Sequence, residues 1–587
     1  MTTLTQALSA KLGPAFDALG LEPALGRVER SARPDLAPFQ CNGAMAAAKA
    51  LKKNPREIAQ TLADRLAGDP DIAMVEIAGP GFLNLTPTDA VYDARAAALA
   101  ADPRAGAAQL DAPRRILIDF GGPNVAKPMH VGHVRSSVIG DCLQRLYRFR
   151  GDTVTSDVHL GDWGLQMGHL ITELEDERPE LPYFATDAAE PFPAESPVDL
   201  DDLARLYPQA SAKAKADPAR MDRSRKATAK LQAGHAGYRA LLAHFIAVSK
   251  AGLKRDFARM GVFFVLWKGE ADAESLIPDM VADLKARGVA ELSEGAWIIR
   301  VAEPTDKKEL APMILVSSEG AALYGTTDLA TILDRKQALD PDLSLYVVDQ
   351  RQREHFEQVF RAAEKAGYGE RARFEHVGFG TVNGPDGKPF KTREGGVMRL
   401  ADLLAMAEDA ARSRLAEAGL GQDLGDDGLA AVARQVGLAA IKFADLQNQR
   451  TTNYVFDLDR FTAFEGKTGP YLLYAAVRVK SVLRKAAEAG VEPGPIAVRA
   501  EAERGLVLAL DGFERALAQA YDKKAPHILC DHAYGLATAF SSFYANCPIL
   551  GAETDAAKGS RLALAALALR QLERTLDILG LEAPERM

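Results

Sequence analysis

The chain has 587 residues, a formal charge of −9 and a pI near 5.7, with 47% hydrophobic and 26% charged side chains. Such a length exceeds what one hydrophobic core serves, so several domains are expected, each burying its own apolar surface. The acidic total excludes a protein that coats nucleic acid indiscriminately, but it is compatible with localised basic faces. Cys41, Cys142, Cys530 and Cys547 form no CxxC pair, and although His527 and His532 flank Cys530, no further ligand stands at a zinc-site spacing. They read as buried thiols in a reducing compartment. The opening MTTLTQALSAKLG lacks the charged and apolar regions of an export signal. No uninterrupted apolar run approaches the roughly 18 to 20 residues that span a bilayer. A cytoplasmic location without a membrane partner is expected.

In chain order, residues 1–110 read as a separate α+β domain. Helical patterns cover Leu4 to Leu19 and Met45 to Leu51, and a third helix starts at Pro55, with Asn54 as its cap and Glu57 placed to complete a capping box. Gly79-Pro80-Gly81 reads as a tight connection between strands Met74 to Ala78 and Phe82 to Leu85, and Asp102 to Pro113 as a linker. Residues 111–400 then alternate between strand and helix, which predicts a parallel sheet. Strand Ile116 to Phe120 breaks at Gly121-Gly122-Pro123, a helix follows with Pro128 at its first position, and strand Val154 to Val158 leads into Gly161-Asp162-Trp163-Gly164 and another helix. The Pro- and acid-rich stretch from Asp176 to Pro208 reads as loop, and the basic helical run from Lys213 to Lys230 as the rest of an insertion around 175–255. Strand patterns at Ala296 to Val301, Met313 to Ser317, Leu345 to Val348 and Phe374 to Phe379 predict that the same sheet resumes, with helices from Asp328 to Leu339 and His355 to Ala366. Residues 401–465 read as a connecting helical region and 466–587 as an all-α domain, while Thr451 to Tyr471 reads as a structured loop that meets a partner. The fold class is therefore multidomain α/β: a Rossmann-type parallel sheet with an insertion, between an N-terminal α+β domain and a C-terminal all-α domain.

A parallel sheet binds ligands beyond the C-terminal ends of its strands, and the turn after Phe120 is such a place. His130 and His133, at i and i+3, are expected on one face of the following helix's first turns, beside N–H groups that lack intrahelical partners. That describes a phosphate site with two adjustable donors. Gly132 between them would let a base or ribose approach the helix. The competing reading is a helix with one exposed and one packed imidazole. Strand, glycine and helix start together favour nucleotide binding.

The run Asn124-Val125-Ala126-Lys127-Pro128-Met129-His130-Val131-Gly132-His133 is similar to the first signature of class I aminoacyl-tRNA synthetases, and specifically resembles the arginyl-tRNA synthetase family. The resemblance extends through GDWG (161–164), YGTTD (324–328), DQRQ (349–352), KPFKTREGG (388–396), TTNYVFD, AFEGKTGPY, SSFYANCPIL and APERM, and through the N-terminal CNGAMAAAK, KNPREIA and VEIAGPGFLNL. It implies activation of L-arginine by ATP to an arginyl adenylate and pyrophosphate, then transfer of arginyl to the terminal adenosine of tRNA(Arg). It also implies that residues 466–587 bind the anticodon, that 1–110 form an additional tRNA-binding domain, and that 401–465 touch the stem. Charge building on the α-phosphate calls for positioned cations and N–H groups.

By motif match, His130, Gly132 and His133 hold ATP, with no acid–base or covalent role required of the histidines. The usual second signature, Lys-Met-Ser-Lys-Ser, is replaced by Pro389-Phe390-Lys391-Thr392-Arg393. Lys388 and Lys391 are expected on ATP and Lys391 and Arg393 among the catalytic cations, while Lys127 resembles the family's compensating lysine. For the substrate, Tyr324 and Asp328 match guanidinium-binding positions, Glu270 aligns with a second acidic one, and Asn124 and Gln352 match positions that hold the α-amino group, assisted by Asp119. Asp328 could instead cap its helix, Gln352 sit on a surface turn and Asp119 brace the following loop.

For tRNA, candidate basic faces are Lys213 to Lys230; Arg478, Lys480, Arg484 and Lys485; and Lys523 with Lys524. Tyr454, Phe456, Phe464, Tyr471 and Tyr474 could stack unpaired bases, although core packing explains most of them equally well. A magnesium ion is expected to arrive with ATP, and no tightly bound protein metal is expected, because no cage of carboxylates is visible. The protein is expected to be a monomer, and the resemblance implies that it needs tRNA before it activates arginine.

Overall fold

A computed structural model describes residues 2–185, 190–384, 386–388 and 398–587 of the chain. In the N-terminal unit, strands Val28–Arg30, Phe39–Cys41, Phe82–Pro87 and Ile72–Ala78 lie side by side in that order, all antiparallel. Helices Leu4–Asp17 and Pro55–Leu66 bury Leu12, Phe16, Ile58 and Leu62 in one core with Phe39, Leu83 and Leu85. Asn54 caps the second of these helices by accepting from Arg56 N at 2.9 Å. Because that bond goes to the second helical residue and not the third, Glu57 returns none among the described contacts, and the expected box is half formed.

The central sheet has the order Phe374–His376, Leu343–Val347, Arg115–Phe120, Thr153–Asp157, with every pairing parallel. Ile116 to Phe120 are all buried, the continuous pattern of a strand covered on both faces. Helix Val134–Arg150 packs across it so closely that a Cβ on Gly140 would stand 2.1 Å from the Phe120 ring. From the central strand the chain passes to Thr153–Asp157 on one side and later to Leu343–Val347 on the other. The order therefore reverses at the C-terminal end of Phe120, which opens a crevice there.

Two expected strands do not join this sheet. Ala296–Ile299 and Met313–Val316 pair with each other and with Glu291–Ser293 as a separate antiparallel sheet. The left-handed backbone of Glu294 and Gly295 turns the chain back locally, so a hairpin forms in place of a crossover. The loop expected to run to Pro208 is also shorter. Asp199 accepts from Asp202 N at 2.8 Å and starts helix Leu200–Ala216, which contains Pro208. With Pro218–Gln232 and Ala236–Arg259, that helix completes the insertion.

The C-terminal part is helical from Leu400–Glu417 to Asp555–Ile578. Two buried ion pairs tie the parts together. Arg95 Nε meets Asp511 Oδ1 at 2.6 Å, and Arg135, from the helix after the central strand, meets Asp445 at 3.2 Å while donating to Thr452 O at 2.8 Å. Tyr454 Oη donates to the same Asp445 carboxylate at 3.1 Å, and Tyr454–Val455 pairs in parallel with Val382–Asn383, so this part of the expected loop is anchored to the sheet domain. All four cysteines are buried and free. Among the described residues, no helix is long and apolar enough to cross a membrane.

Candidate active site

The histidine pair lies just ahead of the helix, not in its first turns. The helix begins at Val134, so Pro128 does not open it, and Val131–His133 form a short 3-10 turn with His130 as its extended cap. The cause is a pair of local bonds: His130 Nδ1 accepts from Gly132 N at 3.0 Å, and His133 Nδ1 accepts from His130 N at 3.1 Å. Both Nδ1 atoms are acceptors, which assigns the ring protons to Nε2. The rings lie side by side, centroids 4.0 Å apart. Burial, then the neighbouring His130 and Lys127, hold His133 down to about 3, and burial with Lys127 lowers His130. The pair is a set of two neutral N–H donors. Gly132 also serves differently from the expectation, since a Cβ there would stand 2.7 Å from His130 Cε1. The missing side chain makes space for the histidine ring.

The first signature is paired with the segment that follows the second. Val131 N donates to Met398 O at 3.1 Å and Leu400 N to Met129 O at 2.9 Å. Lys391 and Arg393 lie outside the described residues. Lys388, just before them, is exposed.

Beyond the strand ends lies a cavity of about 510 Å³, and its walls include Asp119, Asn124, Glu270, Tyr324, Asp328 and Gln352. All six residues expected to bind the amino acid thus converge. The helix bearing YGTTD begins at Tyr324, so Asp328 does not cap it but stands one turn from Tyr324 on the same face. Its Oδ2 accepts from His355 Nε2 at 2.5 Å, which leaves Oδ1 for a ligand. Glu270 has no cationic side chain bonded to it among the described residues. Burial, with the charges of Asp328 and Asp162, pushes its carboxyl up to about 7. Asp119 is engaged differently: its Oδ2 accepts from buried Arg335 at 2.6 Å, which also reaches Asp157 at 2.8 Å.

GDWG positions two of these groups. Asp162 Oδ1 accepts from Ala271 N at 2.8 Å and pins the turn that presents Glu270. Burial pushes the Asp162 carboxyl itself up to about 6. Gly161 carries Asn124 against its Cα, where a Cβ would stand 2.4 Å from Asn124 Oδ1, and Gln166 Nε2 braces Gly161 O at 2.7 Å. Sequence reasoning missed His355, Arg335 and His159. His159 lines the cavity with both ring nitrogens buried and without a hydrogen-bond partner among the described residues, on a left-handed backbone. His355 lies 27 positions from the carboxylate it holds, and no local spacing advertises such a pair.

Part of the basic run of the insertion is engaged internally, while Lys215, Arg225 and Lys230 stay exposed. Lys213 and Arg220 pair with Glu173 at 2.5 and 2.7 Å, and Arg223 with Glu175 at 2.7 Å, so these cations fasten the insertion to helix Leu165–Glu177. Lys480 is likewise held by Glu585 at 2.6 Å and Lys524 by Glu375 at 2.9 Å. A cationic, aromatic hollow does exist in the C-terminal domain: about 460 Å³, walled by Tyr474, Arg478, Arg484, Lys485, Tyr544 and Arg586. Tyr454 and Phe456 are buried instead. No group of three or more His, Cys, Asp or Glu among the described residues could hold a metal ion.

Comparison with known proteins covers the whole chain. The family profile for the catalytic domain of class I (R) tRNA synthetases matches residues 96–458, the DALR anticodon binding domain matches 472–587, and the arginyl tRNA synthetase N terminal domain matches 2–86. The arginine–tRNA ligases of Maricaulis maris (strain MCS10) and Hyphomonas neptunium (strain ATCC 15444) are 66% and 61% identical, each comparison covering 100% of both chains. Among solved structures, the arginyl-tRNA synthetases of Plasmodium falciparum and Thermus thermophilus superpose with TM-scores of 0.78 and 0.77 over 100% of both chains, at 22% and 24% identity.

Proposed function

The chain belongs to the arginyl-tRNA synthetase family and is an arginine–tRNA ligase, and from that premise we propose how its residues divide the work. The 510 Å³ cavity is the seat of L-arginine. Its guanidinium lies between the Glu270 and Asp328 carboxylates beside Tyr324, and its α-amino group meets Asn124 and Gln352, while Asp119 balances Arg335 in the wall. ATP lies on the neighbouring histidine pair. A carboxylate oxygen of arginine attacks the α-phosphorus, the bond to the bridging oxygen breaks, and pyrophosphate departs. Charge developing on the phosphates is met by the Nε2–H groups of His130 and His133, by Lys127, and by Lys388, Lys391 and Arg393 of the second signature. The 3′-terminal adenosine of tRNA(Arg) then attacks the arginyl carbonyl through a ribose hydroxyl, and AMP leaves.

Magnesium enters with ATP, whose phosphate oxygens are the hard ligands it prefers. Residues 1–110 form the additional tRNA-binding domain, 111–400 the catalytic domain, 401–465 the stem-contact region, and 466–587 the anticodon-binding domain. There the hollow around Tyr474 and Tyr544 accepts unpaired bases by stacking, with Arg478 and Arg484 near the backbone. The enzyme works as a cytoplasmic monomer and activates arginine only with tRNA bound.

The observation that supports this reading most is the meeting of six residues, drawn from five separate segments, in one cavity at the end of the strand that leads into the histidine signature. Citrulline tests it, since it replaces the guanidinium with a neutral group of nearly the same shape. Arginine should be preferred in pyrophosphate exchange by roughly 10⁴-fold, because citrulline leaves Glu270 without a cationic partner and offers Asp328 no charge. Comparable rates with citrulline would remove the carboxylates from the substrate site.

A further inference from the structure

Tyr207 sits on helix Leu200–Ala216 of the insertion, in none of the signature segments, yet its ring centre lies 4.3 Å from the ammonium nitrogen of Lys127. The ring is rigidly mounted. Leu203 and Leu206 of the same helix are fully buried, and Lys213 pins its far end to Glu173 at 2.5 Å. The insertion also holds the lysine's main chain, for Ser249 on helix Ala236–Arg259 accepts from the N–H of left-handed Ala126 at 3.0 Å. No carboxylate among the described residues pairs with Lys127, whose charge is felt by both His130 and His133.

A carboxylate could fix a lysine equally well, but it would cancel the charge that a phosphate needs and would itself repel phosphate. An aromatic face attracts the ammonium and leaves its net charge intact. We propose that Tyr207 is a positioning residue for adenylate formation, its ring holding Lys127 beside the histidine pair with the far side of the ammonium open to phosphate oxygens. This rests on Lys127 acting on ATP, as proposed above. It makes the insertion a working part of the ATP site.

The test is pyrophosphate exchange, with arginine and tRNA saturating, in Tyr207→Leu, Tyr207→Phe, Lys127→Ala and the Tyr207→Leu/Lys127→Ala double variant. Tyr207→Leu should lower kcat/KM for ATP roughly tenfold, the scale of a partly desolvated cation–π contact. Tyr207→Phe should stay within about twofold of wild type, since the ring remains. The double variant should be no worse than Lys127→Ala, and the KM for arginine should be unchanged throughout. The proposal is overturned if Tyr207→Leu matches wild type, if Phe is as damaging as Leu, or if the Leu substitution costs as much without Lys127 as with it. Full exchange in Lys127→Ala would refute the reading of the lysine, and the proposal with it. A loss of melting temperature and arginine affinity in Tyr207→Leu that Phe does not restore would reveal a merely structural role.

Discussion

Replacing Glu270 by Gln keeps the side chain's shape and removes its charge. Burial holds this carboxyl at about 7, against an ordinary 4.5. Between those values the unfolded chain has released its proton while the folded chain retains it, so stability falls as pH rises across the window, and the cost is complete above it. A rise of this size corresponds to roughly 3 kcal/mol. The Glu270→Gln enzyme, without ligand, should therefore melt at a higher temperature than wild type at pH 8, with the advantage fading toward pH 5. Function should move the other way. Removing one partner of a buried charge contact costs on the order of 2–5 kcal/mol, so the KM for arginine in pyrophosphate exchange should rise by at least about 30-fold. In the wild type, arginine must displace a proton below pH 7, so its KM should climb roughly tenfold per unit of pH there, and Glu270→Gln should abolish that slope. A variant that melts lower at pH 8, or a wild-type arginine KM that is flat from pH 6 to 8, would refute the argument.

The histidine pair makes the opposite statement about pH. With His133 held to about 3, the rate of adenylate formation should show no inflection from that ring between pH 5 and 8, and any inflection from His130 should lie below the ordinary 6.5, while His133→Ala should lose on the order of 10²–10³ in exchange rate. Lys127→Ala should lose most adenylate formation and Lys391→Ala less, and comparable exchange rates in the two variants would contradict that ranking. In the C-terminal hollow, Tyr544→Ala should raise the KM for tRNA by about 1–3 kcal/mol equivalent in a charging assay. Its melting temperature should be unchanged, since Tyr544 is 43% exposed. Asp445→Ala should destabilise the protein by roughly 3–5 kcal/mol in urea denaturation, because it strands the Arg135 guanidinium in the interior.

Much of this architecture was legible because it is written locally. The central strand is an unbroken apolar run, Gly121 and Gly122 end it in the left-handed backbone their position suggests, and Tyr324 and Asp328 share a helical face whatever surrounds them. What could not be read depends on partners distant in sequence. The strand patterns at 296–299 and 313–316 say nothing about which sheet receives them, and a short hairpin decided it. The histidines were expected inside a helix because spacing alone favours that. Two bonds from ring nitrogens to backbone N–H groups hold the chain in a 3-10 turn instead. Within the basic run from Lys213 to Lys230, sequence alone does not tell that Lys213, Arg220 and Arg223 face Glu173, Glu175 and Asp176, carboxylates about 40 to 50 positions earlier. Asp162 belongs to the GDWG motif, but its task depends on Ala271 N, because the turn it pins is more than a hundred residues away.

The most direct measurement is a crystal structure of the protein with L-arginine bound. The account predicts the guanidinium between Glu270 and Asp328, the α-amino group at Asn124 and Gln352, and the carboxylate directed toward His130 and His133. Arginine density outside the cavity, or within it but reversed so that the carboxylate faces Glu270 and Asp328, would contradict it.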